Sequence, residues 1–142
     1  MSVRKAALRD SPAWYTLESM LSTWKTMAFI GTRDARRARN FYRDVLGLPL
    51  LYEDSFAVVF DANGVTLRIA IVPDLTPAKF TVLGWQVPDI EEAVTTLGNA
   101  GVGFNRYPHM AQDERGIWNA PGGARIAWFQ DPDGNTLSLS QH

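Results

Sequence analysis

The sequence contains no cysteine and only two histidines, His109 and His142. Without cysteine the chain can form no disulfide framework, no thiolate nucleophile and no cysteine-ligated zinc site. One histidine lies in a predicted loop and the other is the last residue of the sequence, so the two are poorly placed to act together as imidazole ligands of one metal ion. No apolar run reaches the roughly 20 residues that a membrane-spanning helix needs. The composition therefore argues against a disulfide-stabilised protein, a cysteine-dependent enzyme, a cysteine-ligated zinc protein and a protein with a membrane-spanning helix.

The chain also has almost no net charge, with 14 basic against 15 acidic residues and a formal charge of −1. Such a protein has no general electrostatic attraction for nucleic acid or for an anionic membrane. The arginines crowded along one predicted helix therefore favour a solvated surface or a dimer rim over a nucleic-acid face. They are Arg33, Arg36, Arg37, Arg39 and Arg43. We expect neither nucleic acid nor membrane as a partner.

The first 25 residues carry early positive charge but no apolar segment of the kind found in secretory signals. We therefore expect the protein in the cytoplasm. Ser11 and Pro12 suit the start of a helix. Residues 1–25 are predicted to be an N-terminal helical extension packed on its own domain or on a second subunit, with a functional lid or a frayed tail as the alternatives. Its apolar residues at roughly helical spacing are Trp14, Leu17, Leu21 and Trp24.

What the chain does have is the composition of one globular domain, since 46% of its 142 residues are hydrophobic and 20% are charged. The pattern predicts the order β-α-β-β-β twice. Asp34 and Asp89 begin helices with apolar stripes, and Asn63-Gly64 and Asp131–Gly134 are tight turns between strands. This repeat predicts two modules, residues 26–73 and 79–140, within a single domain of residues 26–142.

In the second module, the pattern predicts strands at Gly103–Arg106 and at Ala124–Phe129. A long polar loop, Tyr107–Gly123, separates them. Loops of this length in compact domains are often functional.

Two motifs resemble those of a known family. The first runs from Asp34 to Leu48 and includes Phe41-Tyr42-Arg43-Asp44-Val45-Leu46-Gly47, and the second is Phe129-Gln130-Asp131-Pro132-Asp133-Gly134-Asn135. In this order they resemble the vicinal oxygen chelate superfamily, which includes glyoxalase I, extradiol dioxygenases, and fosfomycin- and bleomycin-resistance proteins. The resemblance covers roughly residues 26–141. It implies an α+β fold in which two paired βαβββ modules form a curved mixed sheet around a cup, with the helices on the outer face.

Metal-dependent members of this family hold a divalent ion with side chains from four strand positions. The resemblance maps these positions onto Met27, Arg68, Val82 and Ser138, where the family has histidine, glutamine or glutamate. A thioether does not suit the hard or borderline ions that the family uses, and a guanidinium would repel a cation. We therefore expect no metal, no other cofactor, and no metal-dependent glyoxalase or dioxygenase activity.

Strand alternation assigns the remaining side chains of the cup. If the four family positions face the cup, Phe29 and Gln86 face it too. The residues that alternate with them along the strands should point to the other face and pack under the helices. Trp85 belongs to that second set, with the cup wall as the alternative. The second set is Ala28, Ile30, Leu67, Ile69, Ile71, Leu83, Trp85, Val87, Leu137 and Leu139. The predicted ligand-binding residues are Phe29, Arg68, Gln86, Trp118 and Ser138.

The predicted function is the binding of a small, partly aromatic or anionic molecule in a metal-free cup, by a homodimer resembling the resistance proteins. Arg68 would bind a carboxylate or phosphate, or else it would form an internal ion pair, for example with Asp113 or Glu114, or swing out to solvent. Trp118 would stack on a planar ligand or, alternatively, hold its loop against the domain by a hydrophobic contact. The alternatives are a metal-free lyase or isomerase with Asp113 or Glu114 as base, a metal enzyme with a displaced site at His109, and a structural or regulatory module. Whether the protein is an enzyme stays open at this point.

Overall fold

The structure, a computed structural model, describes residues 17–142, so the predicted helix start at Ser11-Pro12 and Trp14 lie outside the described residues. Helix α1 (Leu17–Thr23) comes first. The first module then comprises β1 (Met27–Thr32), α2 (Ala35–Asn40) with a π-helical turn after it (Phe41–Val45), β2 (Leu50–Glu53), β3 (Ala57–Ala62) and β4 (Val65–Ile71). The second comprises β5 (Thr81–Gln86), α3 (Ile90–Asn99), β6 (Trp118–Asn119), β7 (Arg125–Gln130) and β8 (Thr136–Gln141).

Each module forms one four-stranded mixed sheet. The strand order is β1-β4-β3-β2 in the first sheet and β5-β8-β7-β6 in the second. In both, the first strand of the module pairs in parallel with the last, and the other pairings are antiparallel. The same order in both sheets confirms the predicted βαβββ repeat and the α+β class. No helix within residues 17–142 is long and apolar enough to cross a membrane.

The helix starts and the first hairpin form as the sequence predicts. Asp34 and Asp89 are N-caps whose carboxylates each accept a hydrogen bond, at 3.1 Å, from the backbone N–H three residues on. Asn63 and Gly64 have φ of 52° and 91°, the left-handed pair that a tight two-residue hairpin requires. Local side-chain chemistry therefore sets these element boundaries.

The predicted strand at Gly103–Arg106 is wrong. Only an isolated bridge between Phe104 and Phe129 forms there, and the outer strand of the second sheet is instead β6, inside the predicted loop. The reason lies in Gln112, whose side chain accepts a hydrogen bond from the Tyr107 backbone N–H at 2.7 Å and donates one to the Asn105 carbonyl at 2.9 Å. The Gln112 side chain therefore occupies backbone hydrogen-bonding groups that would otherwise be available to pair with a neighbouring strand.

One hydrophobic core joins helices α2 and α3 to the convex faces of both sheets. The face assignment predicted from strand alternation is confirmed except at Ile71, which is half-buried and outside the core. Trp85 is partly buried and packs against the core. Large side chains that are fully buried here include Tyr42, Phe60, Leu67, Ile69, Ile90, Phe129 and Leu137.

The turn between β7 and β8 connects the two modules through buried hydrogen bonds. The Tyr42 hydroxyl, on the first module, donates to the Asp131 carboxylate at 2.7 Å. The same carboxylate accepts the backbone N–H groups of Asp133 and Asn135 and the Asn135 side-chain amide. Four donors therefore converge on one buried carboxylate, which compensates for its desolvation.

The rest of this turn is bonded to the end of β1. The Asp133 carboxylate accepts hydrogen bonds from the Thr32 hydroxyl and from the Arg33 backbone N–H. The Asn135 amide also donates to the Gly31 carbonyl at 2.9 Å. The Asp-Pro-Asp-Gly-Asn motif is thus both a strand turn and the polar contact between modules.

Substitution of Asp131 by alanine should destabilise the fold far more than the equivalent change in the first module. Asp131→Ala leaves buried donors without an acceptor and should lower the free energy of unfolding by about 3 kcal/mol or more. The control is Asp61→Ala, because Asp61 opens the corresponding β3–β4 turn and its carboxylate accepts only the Gly64 backbone N–H there. We expect a loss of about 1 kcal/mol for the control. Urea unfolding measures both, and equal losses would contradict the interpretation of the turn.

Tyr42 should make the protein less stable in alkali. Burial, followed by the charge and hydrogen bond of Asp131, raises the pKa of the Tyr42 hydroxyl far above its ordinary value. Above pH ~10 the unfolded chain therefore loses this proton while the folded chain keeps it, so stability falls by about 1.4 kcal/mol per pH unit. Tyr42→Phe should lack this decline, whereas the exposed Tyr52→Phe should retain it. Urea unfolding between pH 9 and 11 measures the slopes, and identical slopes in all three proteins would refute the assignment.

Candidate functional site

The concave face of the first sheet carries exposed apolar side chains beside a cation. Phe29 on β1 lies opposite Arg68 on β4, and Met27 lies opposite Thr66 in the same register. Residues paired in this way share one face of a sheet. Phe29 is 64% exposed and Met27 is 46% exposed, in contrast to their buried neighbour Ile30. The face opposite the core is therefore open and largely apolar around Arg68.

Arg68 itself is half-buried and makes no hydrogen bond or ion pair with any residue between 17 and 142. The predicted alternative of an ion pair with Asp113 or Glu114 does not occur. The charge of Arg68 acts on the carboxylate of Asp54, whose pKa is lowered mainly by the backbone N–H groups of Phe56 and Ala57 and less by Arg68. The Arg68 guanidinium thus has free donors on the concave face.

The concave face of the second sheet presents small polar side chains. Ser138 on β8 lies opposite Gly84 on β5 and Trp128 on β7. A Cβ added to Gly84 would lie 2.5 Å from the Ser138 hydroxyl oxygen, so that hydroxyl occupies the space above the glycine. Gln86 is exposed further along β5, opposite Ser140. This face therefore offers a hydroxyl and an amide to a ligand.

Aromatic rings form one wall beside Ser138. The ring centroids of Trp118 and Trp128 are 6.0 Å apart at an interplanar angle of 35°. The Tyr107 ring meets Trp128 edge to face, with centroids 5.6 Å apart. Trp118 is half-buried and contacts another aromatic ring, as either predicted role would require. Trp128 is not among the candidate residues predicted from the sequence, although its pairing with Ser138 across the second turn places it on the concave face.

Within residues 17–142, neither candidate base, Asp113 or Glu114, forms a hydrogen bond or ion pair with Arg68. The Asp113 carboxylate accepts hydrogen bonds from the backbone N–H groups of Arg115 and Ile117, both at 2.9 Å. Arg115 then pairs with Glu91 of helix α3, on the outer side of the domain. Asp113 therefore stabilises its own loop, and Glu114 is exposed.

The residues at the family's four metal positions do not fit a divalent ion. The resemblance maps these positions onto Met27 and Arg68 in the first module and onto Val82 and Ser138 in the second. None is a strong ligand for such an ion, and one is a permanent cation. Within residues 17–142, no three His, Cys, Asp or Glu side chains cluster in a way that could hold a metal. His109 is exposed, and its ring contacts Tyr107.

The predicted ligand-binding residues thus fall into two groups. Phe29 and Arg68 are neighbours on the first sheet, whereas Gln86, Trp118 and Ser138 lie on the second. A single ligand in contact with all five would have to span both sheets.

Comparison with known proteins agrees with this architecture. The family model of the Glyoxalase/Bleomycin resistance protein/Dioxygenase superfamily matches residues 25–139. The uncharacterised Bacillus subtilis (strain 168) protein YraH is 27% identical over 122 residues, with 75% of this chain and 88% of that protein covered.

Two solved structures illustrate the likeness of fold. A glyoxalase family protein from Enterococcus faecalis has a TM-score of 0.66 and 21% identity, and the match covers 85% of this chain and 99% of that one. A bleomycin resistance determinant encoded on the transposon Tn5 has a TM-score of 0.66 and 22% identity, covering 84% and 98%. At these identities the structures establish the fold alone. Because the family model matches most of the sequence, the chain belongs to the Glyoxalase/Bleomycin resistance protein/Dioxygenase superfamily.

Proposed function

We propose that the protein binds a small, partly aromatic or anionic molecule on the concave faces of its sheets, without a divalent metal ion at the family's metal positions. The Arg68 guanidinium carries this proposal. It is half-buried, lies beside the exposed Phe29 ring, and has no partner among residues 17–142. A partly desolvated cation gains most from an anion, and a guanidinium can hold a carboxylate or phosphate through two parallel hydrogen bonds.

The second sheet supplies the other features of a small-molecule site. Such sites combine apolar and aromatic walls with a few convergent polar groups. Trp118 and Trp128 provide the aromatic wall, and Ser138 and Gln86 provide a hydroxyl and an amide. A planar molecule with an acidic substituent matches this set of groups.

The donor set supports binding without a divalent ion. Such an ion needs carboxylate, imidazole or other strong ligands, whereas the four family positions hold Met27, Arg68, Val82 and Ser138. A positive guanidinium at one of these positions would repel the ion. The same position suits an anionic ligand.

A homodimer is part of the proposal. Phe29 and Met27 are exposed apolar side chains on the concave face of the first sheet, Val82 is exposed on β5, and exposed apolar surface commonly marks interaction sites. Sedimentation equilibrium should give twice the mass of the chain. A monomer at micromolar concentration would contradict this part of the proposal.

The geometry does not favour the metal-free lyase or isomerase. Its candidate base, Asp113, already accepts two backbone hydrogen bonds and belongs to a loop held to helix α3 through Arg115 and Glu91. A general base must reach the proton that it removes. Nothing in the contacts of Asp113 or Glu114 brings either carboxylate to Arg68.

Arg68→Met should weaken ligand binding by about tenfold or more, because it removes charge-assisted hydrogen bonds while retaining an apolar side chain of similar length. A thermal-shift screen of small aromatic acids, phosphates and neutral aromatics would identify ligands, and calorimetry would then measure their affinities. Arg36→Met is the matched control, because Arg36 is exposed on helix α2. Equal affinities of wild type and Arg68→Met for every ligand found would refute the role of Arg68.

The same thermal-shift assay tests the proposal that the protein binds no divalent metal ion at the family's metal positions. Titration with divalent zinc, manganese, nickel, iron and magnesium should leave the melting temperature unchanged, because the family positions provide no adequate ligand set. Elemental analysis of the purified protein should find substoichiometric metal. One tightly held ion per chain would overturn this part of the proposal and direct attention to His109 and its neighbouring carboxylates.

A further inference from the structure

Two adjoining cavities lie at one end of the second sheet, between the inter-module linker and the loop that follows helix α3. The larger has a volume of about 470 Å³ and the smaller about 350 Å³. Lys79, Tyr107 and Thr136 line both cavities, so the two share a wall. Neither is lined by a residue of the first sheet, and this region is therefore separate from Arg68.

The larger cavity is positively charged. Lys79 and Arg106 line it, and no Asp or Glu is among the described residues lining either cavity. Lys79 makes no hydrogen bond or ion pair within residues 17–142. Arg106 donates to the backbone carbonyl of Asp113, which leaves its charge without a carboxylate partner. In a chain of net charge −1, two such cations in one cavity favour an anion there.

The wall that carries Arg106 is held in place before any ligand arrives. The Gln112 side chain forms three hydrogen bonds, with the Tyr107 backbone N–H and with the carbonyls of Asn105 and Gly116. The Asn105 backbone N–H donates to the Trp128 carbonyl at 2.7 Å, and the Asn105 amide donates to the Tyr107 hydroxyl at 3.0 Å. A wall braced in this way loses little entropy on binding.

The wall that the linker contributes is also fixed. Pro77 of the linker packs on the second turn, where a Cβ added to Gly134 would lie 3.4 Å from the Pro77 ring. Gly134 has φ of 89°, and its turn is held by the buried Asp131 carboxylate. Lys79 follows two residues after Pro77, so the linker that carries this cation is anchored close to it.

The smaller cavity suits an aromatic ring. It is lined by Trp128, Tyr107, His109 and Met110, and the Tyr107 and Trp128 rings meet edge to face. Aromatic rings and a polarisable thioether make favourable contacts with a planar ligand. Because this cavity borders the cationic one, a single molecule can use both.

We infer that the two cavities form one site for a planar aromatic molecule carrying a carboxylate or phosphate, with the ring against Trp128 and Tyr107 and the anion between Lys79 and Arg106. This site rests on the proposed function for its aromatic wall, because both use Trp128, but it places the anion away from Arg68 and requires no residue of the first sheet. The Lys79 ammonium and the Arg106 guanidinium distinguish the anion from an uncharged analogue. Their charges also make the affinity sensitive to salt.

Three probes of one ring system test the inference: 1-naphthoate, 1-naphthyl phosphate and the uncharged 1-naphthamide. Binding is followed by ¹⁵N–¹H NMR titration of the full chain. At least one anion should bind about tenfold or more tightly than the amide, with shifts at residues 105–107 and 128. The stronger of the two identifies carboxylate or phosphate as the preferred group. Equal affinity for all three probes, or no saturable shift with any of them, would overturn the inference.

The variants separate this site from Arg68. Lys79→Met should weaken binding of the preferred anion severalfold, and the double variant Lys79→Met/Arg106→Met should reduce it to the level of the amide. Neither should change binding of the amide. The exposed Lys25→Met is the matched control for loss of one positive charge. Lys79→Met alone is sufficient for the test if loss of the Arg106 hydrogen bond disturbs the loop.

Arg68→Met distinguishes failure of this inference from failure of the proposed function. Here it should leave binding of the preferred anion unchanged. If Arg68→Met abolished binding while Lys79→Met had no effect, the inference would be wrong and the proposed function would stand. If Lys79→Met weakened binding and Arg68→Met changed the affinity of no ligand found in the screen, this inference would stand and the role of Arg68 in the proposed function would be wrong.

Discussion

The buried carboxylate of Asp131 is the interaction on which the arrangement of the two modules depends. It accepts a hydrogen bond from Tyr42 in the first module and three more from within its own turn. A carboxylate removed from water is tolerated only when its lone pairs are satisfied in this way. The turn then fixes the start of β8, and with it the positions of Thr136 and Ser138 on the concave face.

The two faces of each sheet differ in composition and in exposure. The convex face is closed by helices and by the shared core, and its side chains are almost entirely apolar. The concave face keeps exposed aromatic rings, hydroxyls and an arginine without a partner among the described residues. These groups add little to folding, because cations without anions and exposed aromatic side chains do not stabilise the monomer. Their presence on one face supports the proposal that this face binds a ligand.

The repeat, the helix caps, the hairpin turns and the division between faces could all be predicted from the sequence, because each rests on local spacing or on strand period. The strand at Gly103–Arg106 could not be judged correctly, because the Gln112 side chain takes backbone hydrogen bonds from a distance along the chain that no periodicity reveals. The cavities beside Lys79 and Arg106 were missed for a similar reason. Their cations come from a linker and an irregular loop, and only the folded chain places them on one cavity.

The two equivalent turns of the repeat have diverged in what surrounds them. Asn63 and Gly64 are exposed at the tip of their hairpin, whereas Asp131, Asp133 and Asn135 are buried against the other module. Chain breaks and inserted peptides are accepted best where the backbone is exposed and bonded only to itself. The Asn63–Gly64 tip therefore provides a position at which an epitope, a fluorescent reporter or new chain termini could be introduced, and its counterpart in the second module does not.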